Sequence, residues 1–222
     1  DNDPGSARIP VPNYLAKIGQ LDKPPKIGLV KDFFMDNSSL NVQSNTEDTL
    51  HKLSLAGAEV DIVSLPKSFT KSMAIQWVIM NVESAAYHEE EFGVRADDYS
   101  EQLRKRIELG FLTPAITYIQ AQRFRRVFRR DLDFLTRQWD VLITPSTPTA
   151  APKDLSTTGD PMFQSPWTLA GLPAITIPSG IDHSSNMPLG IQLVASSFAE
   201  NRLLAVAHWC EAVLDARLRP PI

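Results

Sequence analysis

Residues 26–65 read KIGLVKDFFMDNSSLNVQSNTEDTLHKLSLAGAEVDIVSL, and the order of patterns inside this stretch decides the fold. Lys26-Ile27-Gly28-Leu29-Val30 is a short apolar run ahead of Lys31-Asp32, the pattern of a buried strand. Residues 45–56 carry a helical pattern, with Asn45 or Thr46 as the cap, Leu50 and Leu53 on one face and Gly57 as the stop. Residues 59–65 alternate as a strand should and end at Pro66. Strand, helix and strand over roughly forty residues is the spacing of a βαβ crossover, which predicts a parallel pair.

Working outward, residues 69–92 read as a long helix with Trp77 and Val78 among small residues, and residues 99–109 as a shorter one ending at Gly110. Thr113-Pro114 opens the strongest helix. Along it Ile116, Ile119, Phe124, Val127, Phe128, Leu132 and Leu135 recur at three- and four-residue steps. Residues 140–144 form a strand stopped by Pro145, because proline has no N–H to give the ladder. A loop rich in Pro, Ser and Thr follows, continued by the 163–172 segment. Strands at 174–178 and 189–195, joined by a polar turn, predict an antiparallel hairpin, and residues 200–214 a closing helix. The expected class is α/β, a mixed sheet with helices on its faces. Residues 1–25, with Pro4, Pro10, Pro12, Pro24 and Pro25, read as an extended linker-like segment and 26–222 as the α/β domain; the chain as a whole reads as a fragment.

Composition narrows the classes. The 222 residues are 43% hydrophobic and carry a net charge of −4, so the basic excess of a nucleic-acid or membrane-surface protein is missing. No run approaches the roughly 18 apolar residues of a bilayer span, and no signal peptide opens the sequence. With Cys210 as the only cysteine, no internal disulfide can form, which fits a reducing, cytoplasmic setting.

Chemistry is sparse. There is no G-x-S-x-G elbow, and the doublets Ser38-Ser39, Ser184-Ser185 and Ser196-Ser197 read as turn or cap residues. The four histidines lack metal spacing, and His88 with Glu91 reads as a solvated helical pair. No glycine-rich phosphate loop occurs, so neither cofactor nor metal is expected. The run from Arg123 to Arg130 is either a phosphate-binding patch or an amphipathic helix with aromatics inward; Phe124, Val127 and Phe128 favour the helix.

One constellation is specific: Asp140-Val141-Leu142-Ile143-Thr144-Pro145-Ser146-Thr147-Pro148, then Pro166-Trp167-Thr168-Leu169-Ala170-Gly171-Leu172-Pro173-Ala174-Ile175-Thr176-Ile177-Pro178, then Pro188-Leu189-Gly190-Ile191-Gln192-Leu193-Val194-Ala195. In this order and spacing it resembles the closing third of the amidase-signature family. Asp3-Pro4-Gly5-Ser6-Ala7 and Pro10-Val11-Pro12-Asn13-Tyr14 look like the linker after that family's catalytic region.

The resemblance implies hydrolysis of carboxamides, or release of ammonia from glutamine in an amidotransferase. It also implies a nucleophilic serine, a bridging serine on a cis peptide and a lysine base. All three belong to the preceding half of such proteins, and no Gly/Ser-rich stretch here matches it, so no catalytic residue is assigned. The expected partners are an N-terminal half, attached or separate, and a small amide substrate. A chain of this kind, alone, is expected to be inactive and to expose a contiguous apolar area; the remaining alternative is a non-catalytic α/β binding module. Ligands of α/β sheets sit at the carboxyl ends of parallel strands. Thr144, Pro145, Phe163 and Trp167 therefore either line a substrate pocket or form a structural corner, and Gln192 is expected to satisfy buried backbone.

Overall fold

A computed structural model describes residues 6–154 and 156–216. It contains a five-stranded mixed sheet in the order β2-β1-β3-β5-β4. The strands are β1 (Lys26–Val30), β2 (Glu59–Val63), β3 (Val141–Pro145), β4 (Ala174–Asp182) and β5 (Met187–Val194). β1 pairs in parallel with both β2 and β3, while β5 runs antiparallel to β3 and β4. The crossover expected from residues 26–65 is thus present, as is the hairpin.

Helices cover both faces of the sheet, and the central strand β3 is buried on both. Within β3, Leu142 packs into a core with α2 (Ser72–Arg95), α4 (Ala115–Thr136) and α5 (Ser165–Ala170). Its neighbours Val141 and Ile143 point the opposite way, into a core with α1 (Leu40–Leu55) and α6 (Glu200–Leu214). The remaining helix, α3 (Glu101–Phe111), packs on α2. Gly28 is needed where it stands: a Cβ there would lie 2.7–2.9 Å from Val63, Leu142 and Trp139 side chains.

Several boundaries differ from expectation. Helix α1 starts five residues before Asn45, because Ser39 is the cap and its Oγ accepts from the Val42 N–H. Thr46 donates back to the Val42 carbonyl, and Asn45 reaches across to Ser179, so neither caps the helix. Gly110 does not end α3 but lies inside it, where α2 passes so closely that a Cβ would sit 2.1 Å from the Asn81 carbonyl oxygen. Pro145 does not end the ladder: it pairs with Ile191, and Ser146 N–H still donates to the Gly190 carbonyl. Pairing with β1 already stops at Ile143, so the missing N–H leaves no gap on that side. The 163–172 segment is not a loop; it holds the end of a 3-10 turn and α5, which Gly171 terminates in the left-handed conformation (φ 68°).

In α4 the inward face is Ala121, Phe128, Leu132 and Thr136. Ile116 and Ile119 are 66% and 50% exposed because the first turns run past the core, and Val127 is 43% exposed. Phe124 is half-buried, Arg123, Arg126, Arg129 and Arg130 are exposed, and the helix is amphipathic in outline. The linker-like reading of residues 1–5 and the domain end at 217–222 lie outside the described residues. No helix among the described residues is long and apolar enough to cross a membrane.

Candidate functional site

Parallel strands β1, β2 and β3 end together, and the chain leaving each one supplies aromatic rings beneath that rim. After β1 come Phe33 and Phe34; after β2, Phe69; after β3, Phe163 and Trp167. Trp167 stacks on Phe34 at 5.5 Å with planes 6° apart, and Phe34 lies 5.0 Å from Phe163. Phe33 meets Phe34, Phe69 and Phe163 edge-on at 5.3, 5.2 and 6.0 Å. It holds a left-handed backbone (φ 66°), a costly conformation for an aromatic residue. Sequence alone does not single out Phe33 and Phe34; no local signal marks residues whose role comes from packing against partners over a hundred positions away.

Thr144, Pro145, Phe163 and Trp167 are all buried. Gln192 links two of them, its Nε2 donating to the Phe163 carbonyl (3.1 Å) and facing Thr144 Oγ1 (3.3 Å). This is the backbone-satisfying role expected of that glutamine. Trp167 joins the group through Phe34, whereas Pro145 sits in the ladder opposite Ile191. Gln164 Nε2 donates to the Ser146 carbonyl and ties the segment ahead of α5 to the end of β3. None of the four lines either of two cavities on the described surface.

The first of those, about 500 Å³, lies between α1 and the β4–β5 hairpin. Its polar groups serve the fold. Asn41 Nδ2 donates to Asp182 Oδ1 (2.6 Å) and Asn45 Nδ2 to Ser179 Oγ (2.7 Å). Asp182 also accepts from the Ser185 and Ser184 hydroxyls and the Ser184 N–H. Ser184-Ser185 is therefore turn chemistry and Ser39 a cap, as their sequence setting implied. These donors, the Ser185 hydroxyl foremost, hold the Asp182 carboxyl at about 2, below its ordinary 3.8. A carboxylate depressed in the fold contributes fully above its unfolded value, and that contribution is lost as pH falls from about 4 through 2. Asp182→Asn should accordingly lower the melting temperature at pH 7 and converge on the parent near pH 2. A difference that stays constant across that range rules the charge out as its source.

A reactive constellation is missing among the described residues. No lysine ammonium is hydrogen-bonded to a serine there. The Cys210 thiol is buried and pushed up to about 12 by desolvation, far from a thiolate nucleophile at neutral pH. His88 pairs through Nδ1 with the Tyr99 hydroxyl (3.1 Å), not with Glu91, because the turn that leads into α3 carries Tyr99 over it. No group of three or more His, Cys, Asp or Glu among the described residues is arranged to hold a metal.

The amidase family model matches residues 1–204. Over 250 residues the chain is 30% identical to a glutamyl-tRNA(Gln) amidotransferase subunit of Synechococcus sp. (strain RCC307), covering 99% of this chain and 51% of that protein. It aligns with a protein solved in a vestigial complex bearing on the origins of an s-triazine catabolic enzyme, at TM-score 0.84 and 27% identity, over 98% of this chain and 49% of that one. A crystal structure of an amidase aligns at TM-score 0.79 and 26% identity, over 86% and 46%. The chain spans about half the length of the curated relatives it matches. From its motifs, its mixed sheet and these matches, the chain belongs to the amidase-signature family.

Proposed function

We propose that this chain is the carboxyl-terminal half of a hydrolase that cleaves carboxamide C–N bonds. The nucleophilic serine, the bridging serine and the lysine base come from an amino-terminal half, attached or separate. Residues 26–222 supply the α/β wall and residues 1–25 the linker that joins it. Thr144, Pro145, Phe163 and Trp167 back the substrate pocket from beneath the strand-end rim, and the work is done in the cytoplasm.

The observation that carries this reading is a mismatch. The fold agrees with the family along almost the whole chain, yet no nucleophile and base meet among the described residues, and the relatives are about twice as long. Mass spectrometry of the native material tests it. The expected result is a longer polypeptide or a co-purifying partner whose sequence holds the Gly/Ser-rich region; a free-standing 222-residue protein would leave a binding module as the better account.

A second reading makes the intact protein the glutamine-hydrolysing component of a tRNA-dependent amidotransferase. The names of its roughly 30%-identical relatives favour it. Turnover of glutamine against apolar amides by the intact protein separates the two.

A further inference from the structure

The second cavity, about 310 Å³, lies between α2, α4 and α5; its lining includes Gln76, Glu83, Ser84, Arg125 and Thr168, with the rings of Tyr87 and His88 at one side. Two opposite charges share it without forming an ion pair within 4 Å. Arg125 is held by one nitrogen only, its Nε donating to the Leu169 carbonyl at 2.8 Å. Its two terminal nitrogens have no protein acceptor among the described residues. Glu83 is fixed as well, Oε1 accepting from the Tyr118 hydroxyl and from Gln122 Nε2, both at 3.1 Å.

A guanidinium anchored through Nε keeps its end-on pair of N–H donors in a fixed plane, the geometry that matches a carboxylate. The Ser84 and Thr168 hydroxyls and the Gln76 amide add neutral donors on the same walls. Ile79 and Met80 supply an aliphatic flank. The volume is at the lower end for ligand sites, so it suits a small molecule.

We propose that this cavity binds a small aliphatic carboxylate, with the Arg125 guanidinium as its anchor. Glu83 sets the limit on charge: it opposes an anion, so its neutral isostere should bind the same ligand more tightly. One consequence rests on the amide-hydrolase reading above. Thr168 lines the cavity and its helix neighbour Trp167 backs the proposed substrate pocket, so the two sites adjoin through α5, and amides with a carboxylate tail would be preferred over neutral ones.

The test is calorimetric titration of the protein, in the assembly in which it is isolated, with succinamate and with its neutral counterpart butyramide. Succinamate should bind at least about tenfold more tightly, and Arg125→Gln should lose that advantage, as expected for a charged hydrogen bond. Glu83→Gln should raise succinamate affinity several-fold and leave butyramide unchanged, an effect opposite in sign to structural damage. Equal affinity for the two ligands, or no gain in Glu83→Gln, overturns the proposal, and the second arm decides even if Arg125→Gln misfolds. Succinamate binding without hydrolysis of any amide would count against the hydrolase reading alone; hydrolysis of butyramide without preference would count against the carboxylate site alone.

Discussion

Trp167→Ala should lower the free energy of unfolding by about 3–5 kcal/mol, the cost of emptying a buried aromatic site. The indole is 1% exposed and lies flat against Phe34 in a cluster that also holds Phe69, Phe128 and Phe163. Removing it leaves a void walled by rings that cannot collapse, because their backbones belong to the exits of β1 and β2, to α4 and to the segment before α5. Loss of the stacked pair adds to the lost burial. Urea melts followed by circular dichroism measure this, and Trp167→Phe, which keeps most of the ring area, should recover more than half the loss. A change below about 1 kcal/mol for the alanine variant would mean that the aromatic layer under the rim is not packed as described.

The second large effect is at Gly110. Alanine is a better helix former than glycine by about 1 kcal/mol, so propensity alone predicts stabilisation within α3. Packing predicts the reverse. The new methyl would sit 2.1 Å from the Asn81 carbonyl oxygen and 2.6 Å from Ala85 Cβ, and the first of these is backbone. Helices α2 and α3 would have to separate, and overpacking of this kind costs roughly 1–3 kcal/mol. Contact with backbone places the cost at the upper end, so Gly110→Ala should be destabilised by about 2 kcal/mol net. The sign of the change in urea midpoint decides between the two effects. Gly93, with nothing within 4 Å of a Cβ, is the control in which alanine should stabilise.

These sites also show what the sequence could and could not disclose. The βαβ unit is legible because β1 is a short apolar run and β2 an alternating one, separated by a helical stretch of the right length. The hairpin β4–β5 and helix α6 are legible for similar reasons. Local signals mislead where tertiary contacts outweigh them. Asn45 resembles a cap, yet its amide is drawn to Ser179 across the sheet edge. Gly110 resembles a stop, but it is a contact point between helices. The periodicity of α4 picks out Ile116 and Ile119, which extend past the core, and misses Ala121, whose small size lets α4 sit close.

The candidate site is half legible. The proline-bearing exits from β3 and into β4 identify the family and the rim, and Gln192 supports buried backbone as its place in an apolar strand implies. Phe33 and Phe34 escape notice, since a pair of phenylalanines after a strand carries no marker of its partners. Helical spacing gives His88 the wrong partner, because it suggests Glu91 while Tyr99 arrives from beyond the helix. Under the proposed reading, the chemistry beside these strand ends depends on groups that no spacing inside these residues predicts.

The most direct measurement is ammonia release from butyramide and from glutamine, using the purified 222-residue chain alone and then combined with the proposed amino-terminal half. No release above buffer is expected from the chain alone, and turnover is expected once both halves are present. Release by the chain alone, rising in proportion to its concentration, would contradict this expectation, because a nucleophile and base would then have to meet within these residues.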